Sequence, residues 1–426
     1  MRIRISGGRV IDPGRVDAVC DILIENGRIV DLLQPGEETR DCEVIDASGK
    51  VVTPGWIDMH VHLREPGHEY KETVASGCQA AVAGGITAVC CMPNTDPVND
   101  NAQVTEFILR RAAAAAAARV YPVAAVSRGL EGGQLTEFGE LKRAGAVALS
   151  DDGRPVTGSR FMRRALEYAK GFDLPLISHS EDLDLAGGSM NEGGVATRLG
   201  LSGIPNAAES IMVLRDIALA ELTGARVHFA HVSTAESIRA IRAAKAEGIA
   251  VTGETAPHYF TLTDEAVETY DTHAKMNPPL RSAKDRQAVR EALADGTLDA
   301  IATDHAPHSA IEKDVEFDRA ANGIIGLETA AAVSFRLVQE GVLSLSQLVE
   351  KWTVRPAGIL GLSCGLAPGS PADITVLDPE KRHTIDASTF RSRSRNTPFD
   401  GWECKGKAVL TMVGGRVVYT DPRPQP

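Results

Sequence analysis

Val51-Val-Thr-Pro-Gly-Trp-Ile-Asp-Met-His-Val-His-Leu-Arg64 decides how the rest of the chain is read. The apolar run from Val51 to Ile57 has the composition of a strand, and Asp58 to Arg64 sit at its end. Residues two apart in a strand point to the same side. His60 and His62 therefore present two imidazoles to one point in space, as a metal site requires. A His-x-His pair is weak evidence by itself, because most such pairs are ordinary surface or core histidines. Its weight comes from the further ligand types downstream, each at the end of its own apolar run.

Those runs are Ile86–Cys91, Val120–Ala125, Ala146–Leu149, Pro175–Ser178, Ala225–Ala230, Ile249–Thr252 and Asp299–Ala302. With the strand before His60 they make eight. Amphipathic stretches such as Ser159–Lys170 and Ala235–Glu247 lie between them, and the alanine run Ala112–Ala118 reads as helix. Eight alternating units predict an α/β fold, a (β/α)8 TIM-type barrel over residues 55–365. The flanks differ. Short alternating segments with turn signals (Arg2–Ile5, Val19–Ile24, Arg28–Leu33, Glu43–Ile45, then Ala372–Asp378, Ala408–Val413 and Gly414–Tyr419) predict a small composite β-sandwich domain from residues 1–54 and 366–426.

Composition narrows the function classes. Forty-five basic residues against 57 acidic ones give a net charge of −12, which offers no basic stripe to a nucleic acid. No apolar stretch is long enough for a membrane span, and the N-terminus lacks a secretory h-region. Seven cysteines without C-x-x-C spacing point to a reducing cytoplasm rather than a disulfide framework or a zinc knuckle.

In a (β/α)8 barrel the active site lies at the C-terminal ends of the strands. The chemically informative residues follow the strands as that rule demands. His60 and His62 end the first, Asp151 and Asp152 follow the fourth, and His179 follows the fifth. His231 ends the sixth, and Asp304 ends the eighth. Taken singly, each has a bland reading as a cap, a turn or a polar rim, and Asp151-Asp152-Gly153 alone reads as a turn. Together they make a nitrogen/oxygen set suited to zinc.

The set Pro54–His62, Ser178-His179, Ala230–Ser233 and Ala302–His308 resembles the amidohydrolase superfamily of metal-dependent barrels. More narrowly the chain looks like the class I dihydroorotases. Met92–Thr95, Ser150–Gly153, Lys275–Arg281 and Asn396–Asp400 sharpen that likeness, which covers essentially the whole chain. The resemblance implies that His60, His62, Asp152 and Asp304 hold one zinc, and Asp152, His179 and His231 a second. One or two ions are implied, with two favoured. Hydantoinases, dihydropyrimidinases and allantoinases, which look similar, bridge their metals with a carbamylated lysine after the fourth strand. Gly145–Asp152 contains no lysine, and the resemblance gives the bridging role to Asp152, with Asp151 as the competitor.

The implied reaction is the reversible interconversion of N-carbamoyl-L-aspartate and L-dihydroorotate plus water in pyrimidine biosynthesis. Asp304 is implied as the catalytic proton shuttle. His62, Arg64, Asn94, Asn277, His308 and the backbone of Asn322 and Gly323 are implied as substrate contacts. The last pair departs from the family's usual Pro-Phe-Gly, reading Ala321-Asn322-Gly323. His228 reads as core, and His258 as a packing or hydrogen-bonding residue. Residues 306–326, poor in periodic apolar positions, read as a lid. The family implies a homodimer and is compatible with a complex with aspartate carbamoyltransferase. Another cyclic amidase, acting on hydantoins, dihydropyrimidines or allantoin, and a purely structural partner of that transferase are the competing readings.

Overall fold

The computed structural model describes residues 2–422 apart from Glu38 and Arg40. Eight parallel strands lie in one sheet in chain order: β1 (Trp56–Val61), β2 (Ile86–Cys91), β3 (Arg119–Ala124), β4 (Ala148–Ser150), β5 (Leu176–Ser178), β6 (Val227–Phe229), β7 (Val251–Thr255) and β8 (Ala300–Ile301). A parallel bridge between Val61 and His305 brings the last strand back to the first and makes a nearly closed barrel. Helices such as Ser159–Gly171, Ala207–Thr223 and Ala235–Ala246 connect the strands on the outside.

The two faces of the strands bury different side chains. Outward-facing Trp56, Val89, Leu176, Val227, Phe229 and Ile301 pack with the helices. Inward-facing Ile57, Met59, Ala88, Cys90, Ala148, Ile177, Ala300 and Ala302 fill the barrel. Most of the inner residues are small, which leaves room near the strand ends for imidazoles. Strand β1 carries an irregularity that the two-residue period does not reveal. Asp58 pairs with Val89 and Val61 with Cys91, so three steps on β1 match two on β2. This bulge re-aims the strand end. Val61 stays with the outer cluster, and His60 and His62 turn inward.

Outside the barrel, both ends of the chain supply strands to two further sheets. One has six strands, including Val51–Pro54, Ile374–Thr384 and Glu403–Val413, and the other has four, with Arg2–Ser6 between Asp21–Glu25 and Glu43–Asp46. Ile3, Ile5, Ile22, Val52, Ile374 and Met412 fill the space between them. The stretch from Val19 to Ile24, read as one strand, is two. Val16–Val19 belongs to the six-stranded sheet and Asp21–Glu25 to the four-stranded one, with buried Cys20 at the crossing. The alanine run is also only partly helical. Its helix, Ala102–Ala115, ends where Ala116 adopts φ 50°, and Ala117 and Ala118 are buried on the way into β3. Tertiary burial overrides helix propensity at that point. No helix among the described residues is long and apolar enough to cross a membrane.

Trp56, at the start of β1, stacks on Trp352 with ring centroids 5.0 Å apart and planes 9° from parallel, both fully buried. The pair locks the first strand to the outer helices. Trp352→Ala is expected to lower unfolding stability by about 3–5 kcal/mol. Denaturant titration checks this, and a loss under about 1 kcal/mol would show that the stack does not anchor the barrel.

Candidate active site

Five strand ends bring six side chains together. The Nε2 atom of His62 lies 3.2 Å from Asp304 Oδ1 and 3.5 Å from Asp152 Oδ2. Around Asp152 Oδ1 stand His179 Nδ1 at 3.3 Å, His60 Nε2 at 3.4 Å and His231 Nε2 at 3.5 Å. His60 Nε2 is also 3.6 Å from Asp304 Oδ1. All six residues are buried. The ligand-type atoms of His60, His62 and Asp304, and of His60, Asp152 and His231, form two groups lying within 4.8 Å of one another.

Local backbone geometry aims these groups. His231 and Asp304 follow their strands with φ of 35° and 50°, and Arg64 follows β1 with φ 62°. Left-handed backbone at non-glycine residues is costly and persists where surrounding structure enforces it, most often at functional sites. Here it turns side chains at strand ends back over the barrel axis.

The outer nitrogens of the imidazoles are also held. His60 Nδ1 lies 2.8 Å from Glu254 Oε1, and His62 Nδ1 lies 2.9 Å from Asn94 Oδ1. Both acceptors favour a proton on Nδ1, the tautomer in which Nε2 would be free to bind a cation at the centre. His179 reverses this, with Nδ1 inward and Nε2 3.4 Å from Glu181. Glu254 Oε2 in turn lies 3.3 Å from His228 Nε2, and His228 Nδ1 lies 2.8 Å from Thr252. Glu254 went unread in the sequence because β7 runs to Thr255, three residues beyond the apolar run. Its signal was a carboxylate in phase with the inward side of that strand.

Asp151 and Asp152 diverge. Asp151 Oδ1 accepts from the N–H groups of Val126 and Ser127 at 2.7 and 3.0 Å, and its Oδ2 accepts from Ser127 Oγ–H. It anchors the loop after β3 and faces away from the imidazoles, and burial pushes it up to about 6. For Asp152, burial also opposes ionisation. The charge of His60 and the contacts of His179 and His231 outweigh it and hold the carboxyl well below its usual range. Asp304 follows the same pattern, lowered by His60 and His62 against its burial. Burial works against His60 too, but Asp152, Asp304 and Glu254 raise it well above an ordinary imidazole. For His258 burial outweighs the charge of Asp304 and lowers it to about 4; its Nε2 makes no hydrogen bond among the described residues, and its ring packs edge-on against Tyr259.

The residues fit a metal ion. Asp152 Oδ1 and His60 Nε2 are fully buried without a hydrogen-bond partner among the described residues. Buried polar atoms are nearly always satisfied. Three imidazole nitrogens 3.3–3.5 Å from one carboxylate oxygen are too badly placed to bond it directly, yet close enough to share a cation with it.

Apart from His60, which lies beneath, all the site residues named from the sequence line one cavity of about 230 Å³. Hollows of about 280 and 350 Å³ at the other end of the barrel hold no such cluster. Arg64 enters the cavity and makes no ion pair among the described residues. Its Nε donates to the Pro307 carbonyl at 3.2 Å, and Nη2 lies 3.4 Å from His308 Nε2. Burial lowers its pKa against the charges of Asp304, Glu312 and Asp152, which favour the guanidinium through space. Asn277 Nδ2 donates to Glu181 at 2.9 Å, and His308 Nε2 lies 2.8 Å from the Asn322 carbonyl. Gly323 has φ 126°, and a Cβ there would lie 2.6 Å from that of Ala306, so the departure from the family at Ala321-Asn322 stops at a position only glycine fits.

Comparison with known proteins places this geometry. The profile of the amidohydrolase family matches residues 51–418. A dihydroorotase of Desulforapulum autotrophicum is 61% identical over 422 residues, covering 98% of this chain and 99% of that protein. A dihydroorotase of Geobacter metallireducens is 60% identical, covering 98% and 100%. Among solved structures, the L-hydantoinase (dihydropyrimidinase) of Arthrobacter aurescens superposes with a TM-score of 0.89 at 26% identity, over 98% of this chain and 96% of that one. The dihydropyrimidinase of Brevibacillus agri gives 0.86 at 26% identity, over 99% and 95%. The chain belongs to the amidohydrolase family and, within it, to the dihydroorotases.

Proposed function

We propose that this chain is a zinc-dependent dihydroorotase that interconverts L-dihydroorotate and N-carbamoyl-L-aspartate. The observation that carries the reading is the joint presence, in one cavity, of a carboxylate-centred imidazole cluster and the guanidinium of Arg64, which is held by the Pro307 carbonyl and makes no ion pair among the described residues. Both partners in the reaction carry a carboxylate beside a cyclic or cyclisable amide. The names of relatives at about 60% identity support the same substrate.

His60, His62, Asp152 and Asp304 would hold one zinc, and Asp152, His179 and His231 a second, with Asp152 shared. Zinc bound there supplies Lewis-acid polarisation of the amide carbonyl and makes water a competent nucleophile near neutral pH. The protein's own groups do the rest. Glu254 and Asn94 hold the rings of His60 and His62 so that Nε2 faces the centre. Arg64 offers a planar fork to the substrate carboxylate, a geometry that a point charge lacks. Asn94, Asn277, His308 and the backbone of Asn322 and Gly323 surround the ring. Asp304 is ionised at neutral pH and faces the cavity. In ring opening it takes the proton of the attacking water and delivers it to the departing ring nitrogen, which is a poor leaving group unless protonated. In cyclisation it removes the ureido proton.

The likeness to hydantoinases favours one alternative, a cyclic amidase for uncharged rings. The lysine-free segment Gly145–Asp152 and the position of Arg64 weigh against it. One experiment separates the readings: zinc content and turnover measured on the same sample, before and after chelation and zinc reconstitution. Hydrolysis of dihydroorotate that is lost with zinc and restored by it is expected. Turnover of hydantoin but not dihydroorotate would reverse the assignment, and a reconstituted but inactive protein would support the scaffold reading.

Substitutions assign the roles. Asp304→Asn is expected to lower kcat by about 10²–10⁴-fold while much of the zinc remains, and near-normal activity would refute the shuttle. His60→Ala is expected to lower zinc content itself, read by elemental analysis. Arg64→Met is expected to raise KM for dihydroorotate by about 10–100-fold, the factor for losing a charge-assisted contact. An unchanged KM would place the carboxylate elsewhere.

A further inference from the structure

Residues 306–326 form one wall of the cavity and contain a cation that the chemistry above does not use. Lys313 ends the short helix Ala310–Lys313 and is only 3% exposed. Its Nζ donates to the carbonyl oxygens of Ala321 at 2.7 Å, Gly323 at 3.0 Å and Lys275 at 3.2 Å. An ammonium has three N–H groups, so every donor is committed, and each goes to main chain. Burial and the neighbouring Lys275 ammonium work against its charge, and Asp271 and Glu312 favour it through space, with no direct ion pair among the described residues. A buried ammonium is costly to keep unless its bonds are well made.

Those three carbonyls join two pieces of chain that both line the cavity. Lys275 precedes Asn277 by two residues, and Ala321 and Gly323 flank Asn322. The Gly323 N–H also donates to the Lys275 carbonyl at 3.0 Å, and Lys275 Nζ reaches back to the Asp318 carbonyl at 2.8 Å. The stretch that reads as a lid is thus tied down on its inner side. We propose that Lys313 is a positioning residue for substrate recognition, fixing the distance between the Asn277 turn and the Asn322–Gly323 backbone and so the size of ring the cavity accepts. This rests on the cavity being a dihydroorotate site.

Steady-state kinetics on the zinc-loaded enzyme tests it, with wild type, Lys313→Met and Lys313→Arg assayed alongside zinc content. Lys313→Met is expected to raise KM for dihydroorotate about tenfold or more, with kcat within about threefold and zinc unchanged. Lys313→Arg, whose fork reaches some of the carbonyls, is expected to fall between. A wild type active on dihydroorotate with an unchanged KM in Lys313→Met overturns the proposal alone, as does a fall in kcat or zinc without a KM change. A wild type inactive on dihydroorotate overturns this proposal together with the reading beneath it. Should Lys313→Met fail to fold, Lys313→Arg decides, because its guanidinium cannot reproduce all three bonds of the ammonium to the Ala321, Gly323 and Lys275 carbonyls; a KM rise of about threefold is expected, an unchanged KM overturning the proposal.

Discussion

A carboxylate sealed among imidazoles is the constraint on which the rest of this structure depends. Asp152 is buried, ionised and surrounded by nitrogens from β1, β5 and β6, yet one of its oxygens makes no hydrogen bond among the described residues. A low-dielectric interior tolerates such a charge only when it is paired. The protein answers with protonatable rings and a second carboxylate whose spacing suits a shared cation. The small side chains inside the barrel, the bulge in β1 and the left-handed turns at His231 and Asp304 serve to bring these groups to one point.

The supports reach well beyond the ligand-type residues. Glu254 links His60 to His228 deep in the barrel, a buried row of polar groups running down its axis. On the other side, residues near 396 leave the outer sheets and dock on the catalytic face. Asn396 Nδ2 donates to the carbonyls of Ala306 and Gly323 at 3.0 and 3.1 Å, and its Oδ1 accepts from the His308 N–H at 3.1 Å. The N–H of Arg393 donates to Glu72 at 3.1 Å, and His305 lies 3.3 Å from the same carboxylate. The C-terminal strands thus do more than cap the barrel, because the chain between them braces the cavity wall formed by Ala306, His308 and Gly323.

Much of this was legible in the letters, for identifiable reasons. Parallel strands buried on both faces leave continuous apolar runs. Rare ligand types at the ends of those runs are conspicuous, as at Asp152, His179 and His231. The features that escaped depend on neighbours rather than on local pattern. The β1 bulge exists only in the register with β2. Glu254 sits in Val251-Thr-Gly-Glu-Thr255, where the apolar signal has already faded. Lys313 looks like any solvated lysine in a polar loop until three carbonyls close around it. The breaks at Cys20 and Ala116 arise where burial, not propensity, decides the chain's direction.

The central claim is that these six side chains form a metal centre bridged by Asp152. Anomalous scattering from crystals of the zinc-reconstituted protein, collected on either side of the zinc absorption edge, tests it most directly. The account predicts zinc-specific density between Asp152 and the ring nitrogens of His60, His62, His179 and His231. Density at other residues only, or none at all in protein saturated with zinc, would contradict it.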